Sequence, residues 1–180
     1  MRTNRAMWIG AMTVAAALSS GRAIAAEGAR AGDAPAARRV VVSLPDRKLA
    51  LIENDEIVSI YPVAVGAPHS PSPVGTFNIV TRVANPAYYK PGKVIGPGAA
   101  NPIGTRWIGL SAKGYGIHGT DSPKSIGFAK SHGCIRLRNQ DVERLFERVR
   151  AGDVVELHAE RTDEIARLFA AGAIADHAQR

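Results

Sequence analysis

Short runs of β-branched and apolar residues, separated by tight turns, are the feature that most constrains how this chain folds. Pro45-Asp46 divides the first run from the second, and Asn54-Asp55 divides the second from the third. Runs of this kind between turn residues predict antiparallel strands rather than helices. The predicted strands cover residues 38–44, 48–53, 56–65, 75–83, 106–111, 115–119 and 152–158.

The period of the apolar residues changes after residue 138. Asn139 is suited to cap the start of a helix and Gly152 its end. The tail, residues 159–180, also has apolar residues at helical spacing and is expected to pack against the domain or a partner. We therefore expect a mostly β fold, an antiparallel sandwich or barrel, with one helix near its end and a C-terminal helical tail. The predicted apolar face of the first helix has the spacing i, i+3, i+4 and i+7: Val142, Leu145, Phe146 and Val149.

Two connecting segments are rich in proline. In residues 69–75, Pro71 and Pro73 fix the backbone and block helix formation, which predicts an ordered, extended loop. Residues 85–105 form a long segment, and loops of that length in a compact domain are usually functional or disordered. Because this segment contains the pair Tyr88-Tyr89, we expect it to be a flap that faces substrate.

The first residues predict export. Arg2 and Arg5 precede an apolar run, residues 6–18, and the small-residue site Ala23-Ile24-Ala25 follows, which is the order of a secretory signal peptide. An uncleaved membrane anchor is the less favoured alternative, because spanning a bilayer takes about 20 apolar residues. We therefore expect a periplasmic mature chain without a transmembrane segment. The predicted organisation is a signal peptide (1–25), a linker (26–38), one folded domain (39–158) and the helical tail (159–180).

The charge of the chain argues against one class of partner. Three of the 23 basic residues, Arg2, Arg5 and Arg22, leave with the predicted signal, so 20 face the same 16 acidic residues and the net charge falls from +7 to about +4. The remaining basic residues are scattered and form no recognised nucleic-acid-binding motif, so nucleic acid is not an expected partner. A mildly basic protein suits an anionic polymer of the cell envelope.

The single cysteine, Cys134, lies in the sequence SHGCIRL, residues 131–137. Most free cysteines are small buried hydrophobic residues, which is the structural alternative. In an exported chain, an unpaired cysteine instead suggests an intermolecular disulfide or a reactive thiol. Gly133 permits close approach of a substrate, and successive backbone N–H groups in such a turn can form an oxyanion hole. These neighbours favour the reactive thiol.

Two histidines accompany this cysteine. His132 lies two residues before Cys134, and His118 ends a predicted strand that can lie beside it, since neighbouring strands are about 4.8 Å apart. A thiol needs a base or a positive neighbour to become a thiolate at neutral pH, so the histidines favour a cysteine nucleophile. The same three residues could bind zinc, but the sequence has no second cysteine and no HExxH. We predict no metal and no cofactor.

The motifs resemble those of a known family. IHGTD, residues 117–121, followed by SHGCIRL resembles the two-part signature of the L,D-transpeptidase catalytic domain. The resemblance runs from about residue 39 to residue 158, and it implies a β-rich fold and a reaction on peptidoglycan stem peptides. Three further stretches are similar to characteristic segments of the family: residues 70–77, 85–92 and 101–110.

The resemblance also implies roles for individual residues. Cys134 would be the nucleophile and His118 its general base, with the backbone carbonyl of Gly119 holding the imidazole. His132 would shape the acyl pocket and the oxyanion site, together with the backbone N–H groups of Gly133 and Cys134. These roles define acyl transfer through a cysteine thioester.

Two supporting residues follow from the same motif. Ser131 would hydrogen-bond within the turn, and Arg136 would either order the loop or bind a substrate carboxylate. Tyr88 and Tyr89 would belong to the substrate-facing flap.

The implied reaction releases D-alanine from a tetrapeptide stem and passes the acyl group to an amine. A second stem peptide as acceptor gives a 3→3 cross-link, and an envelope protein as acceptor anchors that protein to the wall. Water as acceptor makes the protein an L,D-carboxypeptidase. A non-catalytic wall-binding module is the alternative from another class. The sequence does not select among the acceptors.

Overall fold

The computed structural model describes residues 37–177, with side chains up to Ala170. The predicted signal peptide and most of the predicted linker lie outside the described residues. The described residues contain two α-helices. Helix α1 (Asn139–Arg148) precedes the last strand, and helix α2 (Asp163–His177) follows it. The strands are β1 (Arg38–Ser43), β2 (Lys48–Glu53), β3 (Glu56–Pro62), β4 (Val65–Gly66), β5 (Gly75–Ala84), β6 (Tyr88–Lys90), β7 (Lys93–Ile95), β8 (Arg106–Leu110), β9 (Gly116–His118), β10 (Ala129–Ser131), β11 (Ile135–Arg136) and β12 (Val154–His158).

Eight of these strands form one curled, mixed sheet in the order β11-β9-β8-β5-β12-β1-β2-β3. Most neighbours are antiparallel, but β12 lies parallel to β1 and β11 lies parallel to β9. Two small sheets, β4-β10 and β6-β7, lie outside this order. The predicted mostly β fold with helices near the C-terminal end is therefore confirmed.

Both faces of β1 and β2 are buried, which explains their unbroken apolar sequence. Val40 and Val42 face the main core together with Leu49 and Leu51. Val41 lies on the opposite face, in a second core with Ala50 and Ile52. A strand that is covered on both faces needs apolar residues at successive positions instead of alternate ones.

Helix α2 covers this second face. Ile165 and Phe169 are buried against Val41, Ala50 and Ile52. Burying an Ile or Phe side chain contributes about 1.5–3 kcal/mol relative to leaving it exposed. Of the two predicted positions for the tail, the structure therefore has it packed against the domain. None of the helices among the described residues has the length and hydropathy needed to cross a membrane.

Both predicted caps of α1 are wrong. Arg138 is the N-cap residue and makes no side-chain cap, whereas Asn139 is the first helical residue. The Asn139 side chain instead points to the neighbouring loops, where its Oδ1 accepts the N–H groups of Thr105 and Thr120. The helix ends at Arg148, before Gly152.

Gly152 has a different role from the predicted one. It lies in the turn that leads into β12, where its φ is +94°, a region that favours glycine. Its N–H donates to the carbonyl of Ile79, so this turn is fixed to β5.

The predicted flap contains a small hairpin, β6-β7. Tyr88 pairs with Ile95 and Tyr89 with Val94 across the two strands. The turn between them is Pro91-Gly92, and Gly92 has a φ of +74°. Proline followed by a glycine with positive φ is typical of a type II turn, so this part of the segment has a regular structure that its proline and glycine content concealed.

Candidate active site

A cavity of about 590 Å³ opens between the hairpin β6-β7 and the end of the main sheet formed by β8, β9 and β11. The predicted site residues Cys134, His118, His132, Ser131 and Arg136 all contribute to its wall. The other residues that line it are Val83, Pro86, Ala87, Tyr88, Tyr89, Pro102, Ile103, Trp107 and Gly114.

The register of three strands places His118 at the centre of this wall. On one side, His118 is paired with Trp107 of β8. On the other side, it is paired with Arg136 of β11, directly after the cysteine turn. Strand pairing thus brings together three parts of the sequence that are separated by turns.

His118 is buried and held at one ring nitrogen. Its Nδ1 lies 2.5 Å from the carbonyl oxygen of Gly119. Because a carbonyl only accepts hydrogen bonds, Nδ1 carries the proton and Nε2 keeps its lone pair in the neutral ring. The ring also stacks on Trp107, with centroids 5.7 Å apart and planes 23° apart. Contacts on two sides therefore fix the orientation of this imidazole.

The surroundings keep His118 neutral. Burial, helped by the nearby Arg136 guanidinium, lowers the pKa of His118 to about 4 against the opposing effects of the Gly119 carbonyl and Asp121. Desolvation has this effect because it disfavours the charged imidazolium. At neutral pH the imidazole is neutral, and its Nε2 can act as a base.

Cys134 is half-buried, and its sulfur lies near the start of β9. Sγ is 3.8 Å from the carbonyl oxygen of Gly114. Burial raises the pKa of the Cys134 thiol, against the lowering effects of the Gly116 backbone N–H and the Arg136 charge. The resting pair is thus a neutral thiol and a neutral imidazole, and the proton must move when the sulfur attacks.

The turn that carries Cys134 is closed by Ser131. The Ser131 hydroxyl donates to the carbonyl of Cys134 at 2.5 Å and accepts the N–H of Gly133 at 3.0 Å. The Gly133 N–H is therefore already bonded within the turn, and its role at an oxyanion site stays a prediction. The N–H of Cys134 has no hydrogen-bond partner among the described residues, so it stays the donor available to an oxyanion.

The backbone conformation at position 133 and its close neighbours require a glycine. Its φ is +105°, and a Cβ atom there would lie 2.6 Å from Cε1 of Tyr115 and 3.0 Å from the carbonyl oxygen of Pro71. Only glycine fits such a backbone conformation at such short distances.

Strand β4 and the proline-rich loop 69–75 that follows it support the cysteine turn. The N–H of Ala67 donates to the carbonyl of Ser131 at 2.9 Å, where β4 runs beside β10. The Ser72 hydroxyl accepts the N–H of Gly66 at 2.9 Å and fixes the loop on this strand. The ordered, extended loop predicted from the two prolines thus buttresses the site.

Arg136 and His132 both line the cavity but differ in exposure. Among the described residues that line the cavity, Arg136 alone carries a permanent charge, and no carboxylate lines it. Its Nε is buried without a hydrogen-bond partner within the described part of the chain. His132, by contrast, is exposed. The cavity therefore offers one unneutralised cation beside the thiol.

Sequence reasoning missed three residues of the site. Trp107 was part of a predicted strand, with no sign that its ring supports His118. Asn101 is buried, and its Nδ2 donates to the carbonyls of Pro86 and Gly96, which ties the base of the flap together. Asn139 was interpreted only as a cap. No local signal in the sequence pointed to these long-range contacts.

The absence of side chains at two glycines makes room for the ring of Trp107. A Cβ atom at Gly116 would lie 2.7 Å from the Trp107 ring, and one at Gly109 would lie 2.9 Å from its Nε1. Gly109 of WIGL and Gly116 of YGIHG are thus explained by the indole that supports the histidine. Between residues 37 and 177 we find no group of three or more metal-ligating side chains.

A thiol, a neutral imidazole with a free Nε2 and a backbone donor on one cavity wall can carry out nucleophilic acyl transfer. Fold and site together define an enzyme of the cysteine transpeptidase class. The chain matches the family described as YkuD, L,D-transpeptidase catalytic domain, over residues 37–157, and it belongs to this family.

Individual proteins support this assignment. YkuD of Bacillus licheniformis, named as a candidate L,D-transpeptidase, is 41% identical over 140 residues, which cover 78% of this chain and 76% of the relative. The solved L,D-transpeptidase from Mycobacterium smegmatis has a TM-score of 0.59 at 23% identity and covers 69% of this chain. A second structure, LdtMt1 in complex with imipenem, has a TM-score of 0.58 at 21% identity and covers 68% of this chain. At these identities the two solved structures show the fold.

The chain spans 59% of each of these two solved chains. The family acts on peptidoglycan stem peptides, which places its reaction outside the cytoplasm.

Proposed function

We propose that this protein is a peptidoglycan L,D-transpeptidase that takes a tetrapeptide stem as donor and forms 3→3 cross-links. The observation that carries the proposal is that Cys134 and His118 lie on the wall of one cavity, with the imidazole held at Nδ1 by the Gly119 carbonyl and with Arg136 as the charged group of the described lining. Such a site suits a peptide that carries a carboxylate next to the bond to be broken.

In the first step, Sγ of Cys134 attacks the carbonyl carbon between the diamino acid and the terminal D-alanine. Nε2 of His118 takes the thiol proton as the carbon–sulfur bond forms. The negative charge on the carbonyl oxygen is stabilised by the N–H of Cys134. His118 then gives the proton to the nitrogen of D-alanine as the carbon–nitrogen bond breaks, which leaves a thioester on Cys134.

In the second step, the amine of an acceptor attacks the thioester carbonyl. His118 removes a proton from this amine, and Sγ leaves as the new amide forms. The proton returns to the sulfur, so the enzyme ends in its neutral resting state. Because the pKa of His118 is lowered and that of the Cys134 thiol raised, the site avoids a stable ion pair that would reduce the basicity of Nε2.

Arg136 is proposed to bind the carboxylate of the donor. A guanidinium forms strong, charge-assisted hydrogen bonds with a carboxylate. The absence of an acidic residue from the described cavity wall leaves the Arg136 charge available to a ligand. The exposed His132 and the flap tyrosines Tyr88 and Tyr89, which also line the cavity, are proposed to contact other parts of the stem peptide.

The acceptor distinguishes the products of this site. A stem-peptide amine gives a cross-link, water gives a tripeptide, and an amine of an envelope protein gives an anchored protein. We propose the cross-link as the main product, because the wall polymer supplies donor and acceptor together.

A carbapenem is proposed to acylate the same sulfur. One of the similar solved structures, LdtMt1, is a complex of an L,D-transpeptidase with imipenem. Attack of Sγ on the β-lactam carbonyl would break the ring carbon–nitrogen bond, with the proton delivered to the ring nitrogen.

We further propose that the protein works in the periplasm. The predicted signal peptide supports export. Bacillus, the source of the similar YkuD protein, is Gram-positive, so the family itself is compatible with either kind of wall. Cleavage of residues 1–25 and release of the protein by osmotic shock would support the proposal, and retention in the cytoplasm would contradict it.

The experiment is product analysis after incubation of the mature protein with purified disaccharide tetrapeptides. Chromatography with mass spectrometry separates free D-alanine, tripeptide monomers and cross-linked dimers. We expect D-alanine and dimers with a 3→3 linkage, and neither with Cys134→Ala. Tripeptide without dimer would assign a carboxypeptidase. No D-alanine release by folded protein would reject the enzyme and favour a wall-binding module.

A further inference from the structure

The side chain of Asn139 lies at a junction behind the proposed catalytic histidine. Its Oδ1 accepts the N–H of Thr120 at 3.1 Å and the N–H of Thr105 at 3.4 Å. Thr120 follows the histidine strand β9, and Thr105 ends the flap segment. One amide oxygen at the start of α1 therefore connects two loops of the site.

The bond to Thr120 has a particular consequence for His118. The N–H of Thr120 and the carbonyl of Gly119 belong to the same peptide unit. That carbonyl accepts the Nδ1–H of His118 at 2.5 Å. A continuous hydrogen-bonded chain thus runs from the imidazole through one peptide group to the Asn139 side chain.

The surrounding backbone is shaped to admit this side chain. A Cβ atom at Gly104 or at Gly119 would lie 2.2 Å from Oδ1 of Asn139. Gly104 also has a φ of +62°. Any side chain at either position would push the amide away from the peptide group, so two glycines from separate segments keep the space that the Asn139 oxygen occupies.

We propose that Asn139 is a positioning residue for His118, acting through the Gly119–Thr120 peptide group. The inference rests on the proposed function of His118 as general base. By fixing the plane of this peptide, Asn139 fixes the carbonyl that selects the Nδ1–H tautomer and aims Nε2 at the thiol. Hydrogen bonds in such a chain also polarise one another, so an acceptor at Thr120 strengthens the carbonyl as an acceptor for the imidazole.

Two substitutions separate this role from a purely structural one. Asn139→Ala removes the acceptor for both N–H groups, which frees the peptide and the ring. Asn139→Asp keeps an acceptor oxygen and adds a negative charge, which favours the imidazolium and raises the pKa of His118 above its value of about 4. Val142→Ala is the control, because it weakens the buried face of the same helix without contacting the hydrogen-bonded chain.

The experiment combines nitrogen NMR of the His118 ring with the rate of thioester formation in the four proteins. Wild type should show the Nδ1–H tautomer throughout the neutral range. Asn139→Ala should show mixed tautomers and acylate about 100-fold more slowly, as expected for a misplaced base. Asn139→Asp should keep the tautomer, acylate within about tenfold of wild type and titrate His118 at higher pH. Val142→Ala should match wild type in tautomer, pKa and rate.

Different results would reject the proposed function and the proposed role of Asn139. If wild type forms no thioester, the proposed function is wrong, while the NMR spectra still test the position of the ring. An unchanged tautomer and pKa of His118 in Asn139→Ala would overturn the role of Asn139, as would an equal change in Val142→Ala. If Asn139→Ala does not fold, an unshifted His118 pKa in Asn139→Asp overturns the proposal and a raised one supports it.

Discussion

Two parts of the cavity differ in how tightly they are packed. We call the wall around His118 the floor, and we compare it with the flap, residues 85–105. On the floor, His118 is 4% exposed, and glycines bring backbone and ring atoms into close contact. On the flap, Tyr89 is 72% exposed and Val94 is 63% exposed, and a Cβ atom at Gly92, Gly96 or Gly98 would meet nothing within 4 Å. The floor is tightly packed, whereas the flap has open space around it.

The difference separates the requirements of chemistry from those of substrate capture. A general base must keep one tautomer and one orientation, since a small misplacement slows the reaction strongly. A surface that receives a large polymer benefits instead from accessible aromatic and basic groups, which Tyr89, Lys90 and Lys93 supply. Substitutions on the floor should therefore change the chemical rate, and substitutions on the flap should change substrate binding.

The largest effect is expected from His118→Gln. The amide keeps much of the volume of the ring but cannot take the thiol proton, so acylation should slow by about 10²–10⁴-fold. Single-turnover release of D-alanine measures this rate, and circular dichroism verifies the fold. A folded variant with less than tenfold loss would show that another group serves as the base.

The second prediction compares a floor glycine with a flap glycine. Gly119→Ala places a Cβ 2.2 Å from the Asn139 oxygen, and overpacking of this kind costs about 1–3 kcal/mol. It should also slow acylation about 100-fold, because it displaces the carbonyl that holds His118. Gly92→Ala strains a positive φ but meets no neighbour, so single-turnover acylation at saturating donor should stay within about threefold of wild type.

Chemical denaturation and single-turnover kinetics of both glycine variants test this contrast. Equal losses of acylation rate in the two variants would show that the floor and the flap do not differ in the way described.

The third prediction concerns pH. His118 must be neutral to accept the thiol proton, and its pKa is about 4. Activity should thus be present above this pH and fall about tenfold per pH unit below it. The pH profile of kcat/KM for acylation measures the pH at which activity falls on the acid side, which is the acid limb of the profile. An acid limb near the ordinary histidine value of about 6.5 would mean that the imidazole is more solvated than its burial indicates.

The smallest effect is expected from Tyr89→Ala. The side chain is mostly exposed, so its removal should change the free energy of unfolding by less than about 0.5 kcal/mol. Loss of an aromatic contact to the substrate should raise KM several-fold with kcat nearly unchanged. Steady-state kinetics with muropeptide donors distinguishes the two constants, and a lower kcat at constant KM would assign the tyrosine to the floor.

Much of the fold could be predicted from local sequence. Strand β2 has the predicted bounds, because its apolar run ends at clear turns on both sides. The order of strands could not be predicted, since β12 enters between β1 and β5 and pairs Arg39 with Val154. Such long-range pairing leaves no trace in the periodicity of either strand.

The residues of the site likewise divide into those that local sequence could predict and those that depend on long-range contacts. The motif residues Cys134 and His118 could be selected from sequence because an unpaired cysteine accompanied by histidines is unusual in a chain that is predicted to be exported. The occupied N–H of Gly133 and the position of Asn139 could not, because both depend on side chains from other elements. A capping interpretation considers one helix alone, whereas Asn139 binds two separate loops.

The most direct test of the account is the intact mass of the mature protein after mixing with a disaccharide tetrapeptide. We predict an increase equal to the donor minus D-alanine, formed at Cys134 and absent from Cys134→Ala. An adduct that persists in Cys134→Ala would contradict the assignment of the nucleophile. No adduct and no D-alanine in the folded wild type would contradict acyl transfer itself.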